Sequence, residues 1–290
     1  MRVLVTGAGG QLGLDVVDAF AEHEVVGLSH ADLDVAQEPA VAAAVGDLAP
    51  DVVVNAAAWT DVDGCEQDPD RAHRINALGP WWLARACERT GATLVTLSTD
   101  YVFSGPPERG PDGRLRGFDE LDPVRPLNVY GRSKAAGEQL VRETLAAHHI
   151  VRTAWLCGAR GGNFVRTMLR LGRERAELEV VDDEVGSPTF TRDLARALRE
   201  LATSGRYGTV HLVNEGRCSR YELAVRALEL ARLDTPVRPV GSAAFARPAV
   251  RPTFSVLDTR HARLSGLGPL PDWEQGLADL IAELDAPPTA

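Results

Sequence analysis

A chain of 290 residues, 44% hydrophobic and 25% charged, has enough apolar material for one large or two modest domains with a substantial core. Its net charge of −10 excludes an extended nucleic-acid or anionic-membrane surface, and no apolar run nears the ~18 residues of a membrane-spanning helix. Cys65, Cys87, Cys157 and Cys218 show no C-x-x-C spacing and the seven histidines no H-x-x-x-H pair, which predicts reduced thiols in a cytoplasmic protein and no metal site.

In chain order, Arg2-Val3-Leu4-Val5-Thr6 reads as a buried strand rather than a cleavable leader. Gly7-Ala8-Gly9-Gly10-Gln11-Leu12-Gly13 follows directly. An amphipathic helix is expected over 12–22 and a second strand over 25–28. A glycine turn between strand and helix lets the backbone approach a pyrophosphate, and the helix N-terminus supplies free N–H groups and the positive end of its dipole. This context, more than the glycines alone, predicts dinucleotide binding.

Helices are expected over 39–48 and 69–89, with Pro69 in the first turn of the second. Buried strands are expected over 51–58 and 93–99. A loop rich in proline, glycine and charge over 104–126, including Pro106-Pro107 and Pro111-Asp112-Gly113, precedes a helix over 130–149 and a strand over 150–154. Alternating strands and helices predict the α/β class, with a Rossmann-type doubly wound parallel sheet. Beyond Trp155 the pattern changes to helices over 163–175, 191–202 and 219–231, with short strands over 178–181, 210–213 and 254–257. The expected division is an NAD(P)-binding domain over 1–154 and a smaller mixed α/β substrate region over 155–290, with segments able to cross back to the first. The tail 286–290 is expected to fray.

Thirty of the 31 basic residues are arginine, and the one lysine, Lys134, stands four positions after Tyr130. Lysine survives only where a compact ammonium does what a guanidinium cannot. On a helix this spacing puts phenol and ammonium on one face. A cation there favours phenolate and lowers the Tyr130 pKa, making an acid–base group for a carbonyl being reduced or an alcohol being oxidised.

Gly7-x-x-Gly10-x-x-Gly13 together with Tyr130-x-x-x-Lys134 resembles the extended short-chain dehydrogenase/reductase superfamily. Asn55-Ala56-Ala57-Ala58-Trp59, Ser98-Thr99-Asp100-Tyr101-Val102-Phe103, Arg152-Thr153-Ala154-Trp155 and Gly186-Ser187-Pro188-Thr189 narrow the resemblance to the dTDP-4-dehydrorhamnose reductases, from residue 1 to about 285. The resemblance implies reduction of the C4 ketone of a dTDP-4-keto-6-deoxy sugar, with NADPH or else NADH. Tyr130 would protonate the new alkoxide, Lys134 would hold the nicotinamide ribose and Thr99 would hydrogen-bond the same ketone oxygen. It further implies Gly7, Gly10, Gln11 and Leu12 around the pyrophosphate, Asp34 and Val35 at the adenine, and Ala57 and Ala58 toward its ribose and the nicotinamide. Asp100, Tyr101 and Trp155 would line the sugar side. No arginine follows the second strand to meet a 2′-phosphate; Ser29-His30-Ala31-Asp32 offers His30.

The chain departs from the family in places. Relatives carry Arg-Pro-x-Asn-Ser where this chain reads Arg251-Pro252-Thr253-Phe254-Ser255, so an aromatic ring replaces an amide, and Phe254 becomes a candidate for substrate choice. Some members dimerise through a carboxylate-bound magnesium. Asp15 could be one ligand, but Arg192 falls near another and would repel the ion, so no metal is expected and the protein is expected as a monomer or homodimer. An epimerase or dehydratase on the same scaffold is disfavoured because Asp100-Tyr101 supplies one carboxylate where a dehydratase needs an acidic pair. A non-catalytic dinucleotide-binding regulatory subunit is disfavoured by the intact Thr99, Tyr130 and Lys134.

Overall fold

The computed structural model describes every residue except 106–108, 110–112, 114 and 287–290. Pro106, Pro107 and Pro111 of the 104–126 loop, and most of the tail, lie outside the described residues. The first half runs β1 (Arg2–Thr6), α1 (Gln11–Ala19), β2 (Glu24–Leu28), α2 (Glu38–Leu48), β3 (Val52–Asn55), α3 (Val62–Gln67), α4 (Pro69–His73), α5 (Gly79–Thr90), β4 (Thr93–Thr99), α6 (Val129–Thr144) and β5 (His148–Thr153). The second half runs β6 (Leu156–Cys157), α7 (Phe164–Glu174), β7 (Leu178–Val181), β8 (Val185–Gly186), β9 (Thr189–Phe190), α8 (Thr191–Ala202), β10 (Gly208–His211), β11 (Asn214–Glu215) and β12 (Cys218–Ser219). It ends with α9 (Arg220–Leu230), β13 (Val237–Val240), α10 (Arg260–Leu264), β14 (Leu270–Asp272) and α11 (Trp273–Asp285).

Six strands form one parallel sheet in the order β10-β5-β4-β3-β1-β2. Alternation along β1 sends Val3 and Val5 to one face, with Leu12 and Val16 of α1 and Leu194 and Leu198 of α8, and Leu4 to the other, with Val41, Leu83 and Val141. Helices thus cover both faces, as a parallel sheet requires. The second half contributes both β10 and α8 to this layer arrangement. Its remaining helices α7, α9 and α11 enclose a separate cluster that includes Val165, Leu223 and Leu277. No helix among the described residues is long and apolar enough to cross a membrane.

Three expected elements differ. The single helix over 69–89 is α4 and α5 joined by a π-turn at Arg74–Leu78, in which the Gly79 N–H donates to the Arg74 carbonyl. Pro80 lacks an N–H and cannot continue the ladder, and the chain widens by one residue before it. The helix expected to reach 149 ends at Thr144, because His148 and His149 pair with Leu94 and Val95 in the sheet. The strand expected over 254–257 is reduced to bridges from Phe254 to Val185 and from Leu257 to Phe118.

Two fully buried histidines make the sheet acid-sensitive. Burial pushes His149 down to about 4 and His211 down to about 3, the latter helped by the nearby Arg152 charge. Both are neutral in the fold, whereas the unfolded chain takes up protons below about pH 6.5. Stability is therefore complete above that pH and falls as pH drops, by roughly 1.4 kcal/mol per pH unit for each histidine, until about pH 4 for His149 and about pH 3 for His211. Urea midpoints between pH 7 and 4 should show this slope, and His149→Leu should flatten it; an unchanged slope would contradict the assignment.

Candidate active site

The C-terminal ends of β1, β3, β4 and β5 open into a cleft of about 390 Å³, at the place where the sheet order reverses between β1 and β3. Asn55 ties three of these strands together. Its Oδ1 accepts from Thr6 Oγ1 at 2.7 Å and its Nδ2 donates to Thr96 Oγ1 at 3.1 Å. That pin explains the polar start of the Asn55-Ala56-Ala57-Ala58 segment.

On the β1 side Gly7 has φ +69°, and a Cβ there would lie 2.7 Å from the Ala57 nitrogen, so only glycine lets the two strand ends approach. Helix α1 opens at Gly10 with no side chain capping it. Gly10, Gln11, Leu12 and Gly13 line the cleft, leaving the first N–H groups of the helix to an anion. The cradle thus fits a dinucleotide pyrophosphate. Gly7 and Ala57 stand behind the cleft and Ala58 lines it. Among the other expected cofactor residues, His30 is exposed past β2, Asp34 accepts from the Ala36 N–H at 3.0 Å, and Val35 is buried against Gly79. The Val35 side chain therefore belongs to the core. Asp32 is occupied by the N–H and hydroxyl of Ser29, which hold its carboxyl below the usual range.

The opposite wall brings Thr99, Asp100, Tyr101, Tyr130, Lys134 and Trp155 together. Asn128 starts α6 by accepting from the Gly131 N–H at 2.8 Å, and its amide donates to the Val250 carbonyl at 2.8 Å. The cap of the helix carrying Tyr130 and Lys134 is thereby fastened to the C-terminal loop. Lys134 is 4% exposed, and Nζ donates to the Leu97 carbonyl at 2.6 Å. Burial lowers it to about 8, against the opposing pull of Glu138. Tyr130 meets the edge of the Tyr101 ring with centroids 5.8 Å apart. Its phenol is pushed above the ordinary value by burial, with the hydrogen-bonded Thr99 hydroxyl opposing. This corrects the expectation that Lys134 lowers the Tyr130 pKa. Desolvation is the largest influence, the nearby Asp100 acts in the same direction, and the phenol stays protonated.

Thr99 Oγ1 donates to Asp100 Oδ1 at 3.0 Å and accepts from the Tyr101 N–H at 3.1 Å. The hydroxyl thereby links the Asp100 carboxylate to the Tyr101 backbone at the end of β4. Asp100 is 2% exposed and burial raises it to about 6. Trp155 adopts φ +47° at the end of β5, a left-handed turn that is costly for a bulky residue. Gly186 leaves room for its indole, since a Cβ there would crowd the ring.

Phe254 does not line the cleft. It packs on Phe118 with ring centroids 6.4 Å apart, beside the Phe103–Phe118 stack. Its half-buried ring packs against the aromatic cluster of Phe103 and Phe118. Two lining or supporting residues carried no sequence signal. Arg220, the first residue of α9, lies 3.5 Å above the Trp155 ring and lines the cleft. Asn76, in the π-turn, accepts from the Trp59 N–H at 2.8 Å and donates to Ser133 Oγ at 3.1 Å, tying the β3 loop to α6.

Asp15 and Asp18 both pair with Arg160, and Arg192 pairs with Glu283 at 3.1 Å. No group of three histidine, cysteine or acidic residues suited to a metal occurs among the described residues.

The chain matches the family described as RmlD substrate binding domain over residues 1–286. It is 43% identical over 286 residues to the dTDP-4-dehydrorhamnose reductase of Mycobacterium tuberculosis, covering 97% of this chain and 92% of that protein. It is 42% identical over 299 residues to a probable dTDP-4,6-dihydroxy-2-methyloxan-3-one 4-ketoreductase of Streptomyces antibioticus, covering 100% and 98%. The crystal structure of dTDP-4-dehydrorhamnose reductase from Bacillus anthracis in complex with NADP superposes with a TM-score of 0.92 at 40% identity, covering 97% of this chain and 99% of that one. By sequence and fold, this chain belongs to the dTDP-4-dehydrorhamnose reductase family.

Proposed function

We propose that the protein is an NADPH-dependent reductase that converts the C4 ketone of dTDP-4-dehydro-L-rhamnose to the alcohol of dTDP-L-rhamnose. The observation that carries this reading is one cleft holding both an uncapped helix N-terminus behind a glycine turn and the Thr99–Tyr130–Lys134 group. The reductases of the family and the NADP complex of a 40% identical relative support it.

Gly7, Gly10, Gln11 and Leu12 would hold the pyrophosphate, with Ala57 and Ala58 toward the ribose and nicotinamide. Asp34 and the Val35 backbone would meet the adenine, and His30 the 2′-phosphate end. When bound, the nicotinamide supplies hydride to C4. Tyr130, protonated because it is buried, gives its proton to the C4 oxygen as charge develops there. Lys134 keeps two of its three N–H donors for the ribose hydroxyls, and its charge stabilises the tyrosinate left behind. Thr99 and Asp100 fix the position of the Tyr130 oxygen, and Tyr101 and Trp155 pack on the deoxysugar. Arg220 adds a cation suited to the diphosphate of the substrate. We assign the cofactor part to residues 1–154 together with α8 and β10, and the substrate part to the rest. Four buried free thiols suit the reducing cytoplasm.

Initial rates of NADPH oxidation test the reading directly. With dTDP-4-keto-6-deoxyglucose, turnover is expected only when a 3,5-epimerase supplies the epimerised ketone. Turnover with the unepimerised ketone alone would assign a different sugar. The cofactor cradle has its own test. Gly10 has φ −80° and ψ 166°, which valine adopts freely, so Gly10→Val should fold while its branched side chain enters the pyrophosphate space. NADPH affinity is expected to fall more than about tenfold, or 1.4 kcal/mol. An unchanged nicotinamide titration would place the nucleotide elsewhere.

A further inference from the structure

Tyr130, Lys134 and Glu138 recur every four residues along α6, so one face of the helix offers three successive turns to the end of β4. Each turn faces a different part of Leu97-Ser98-Thr99. Tyr130 lies beside the Thr99 hydroxyl, which acts on its phenol, Lys134 Nζ donates to the Leu97 carbonyl at 2.6 Å, and Glu138 Oε1 accepts from Ser98 Oγ at 2.5 Å. Glu138 is only 4% exposed and is gripped from β5 by Arg152, whose Nε and Nη2 donate to Oε1 and Oε2 at 2.9 and 2.7 Å. The Arg152 guanidinium in turn lies 4.9 Å from the centre of the Phe103 ring.

Such a desolvated pair is a poor source of stability, since apolar residues of similar volume commonly do as well. Its position, one helical turn beyond the only lysine of the chain, gives it another use. We propose that Glu138 is a positioning residue for Lys134: anchored by Ser98 and Arg152, its carboxylate holds the buried ammonium in its charged form and directed at the cleft. The proposal rests on the functional reading above, in which Lys134 serves the cofactor ribose and Tyr130.

The charges around Lys134 agree with this assignment. Burial works against the ammonium, and Glu138 is the carboxylate that opposes it. The end of β4 presents a carbonyl and two hydroxyls, and the Asp100 and Tyr101 that follow act on Tyr130. Arg152 of β5 faces Glu138, as does Arg142 at 3.6 Å from the surface side. Tyr130, on the same helix face, is neutral. Without the Glu138 charge, only the Leu97 carbonyl is left to offset the desolvation of Lys134.

Because the chain has one lysine, protein grown with lysine labelled with carbon-13 at Cε gives a single side-chain signal, and its titration reports Lys134 without any substrate. The wild-type midpoint is expected at about 8. In Glu138→Gln it should fall by about one pH unit or more, and the basic limb of kcat/KM for ketone reduction should move down with it. Glutamine can leave Arg152 too poorly matched for folding. In that event Glu138→Gln/Arg152→Met removes both buried charges and carries the same expectation. A folded variant of either kind that titrates where the wild type does would overturn the proposal and leave Glu138 a structural partner of Arg152. The titration is independent of turnover, so an enzyme inert toward every 4-keto sugar would defeat the functional reading without deciding this one.

Discussion

The Tyr130→Phe enzyme is expected to bind NADPH normally and to lose kcat by about 10²–10⁴-fold, the contribution of a positioned acid. The phenol is held above its ordinary pKa by burial, so it carries its proton throughout the working pH range. Phenylalanine keeps the ring and its edge contact with Tyr101 at 5.8 Å. Thr99 retains Asp100 and the Tyr101 N–H, so the fold should survive. The proton is needed only as the alkoxide forms, and kcat and kcat/KM should therefore fall together. A near-normal kcat beside an intact NADPH titration would mean that another group delivers the proton.

Lys134→Arg keeps the charge in a chain that uses arginine at every other basic position, yet kcat is expected to fall at least about 100-fold. The Lys134 ammonium sits in a buried slot, bonded to the Leu97 carbonyl at 2.6 Å. A planar guanidinium is larger, and its fork suits carboxylates and phosphates. Displacing the cofactor by about 1 Å can itself cost 10²-fold. The pH profile separates shape from charge. The ammonium is present below about pH 8 and lost above it, so wild-type kcat/KM should decline on the basic side near 8. Tyr130 titrates well above that range. Arginine does not deprotonate there, so the residual activity of the variant should lack this limb. Retention of both the wild-type rate and the limb would leave Lys134 without a catalytic role.

What was legible in the sequence was mostly local. The first strand, glycine turn and helix are contiguous, and each carries its own signal: β-branched alternation, glycine where φ is +69°, and amphipathic spacing. Tyr130 and Lys134 stood out because composition had removed every other lysine, and their α6 spacing fixed their shared face. The helix expected over 69–89 is divided because Pro80 has no N–H to continue the ladder, which outweighs the apolar periodicity around it. His148 and His149 were read as helix because sheet pairing with Leu94 and Val95 outweighs local propensity. Arg220 reaches the cleft from a chain position 65 residues beyond Trp155, and no local pattern announces such a meeting. Phe254 looked like a pocket residue by analogy with the amide of relatives, whereas its neighbour is the Phe103–Phe118 stack. The raised Tyr130 pKa was equally hidden, because spacing reveals the cation but not how far the phenol is desolvated.

Transfer of isotope tests the central claim most directly. The enzyme is incubated with NADPH carrying deuterium stereospecifically at the nicotinamide C4, together with the epimerised dTDP-4-keto-6-deoxy sugar, and the product is read by proton NMR. The account predicts one deuterium at C4 of a dTDP-linked 6-deoxyhexose with the rhamno configuration, formed in step with NADPH consumption and abolished in Tyr130→Phe. NADPH consumption without a C4 alcohol, or a product free of deuterium at C4, would contradict it.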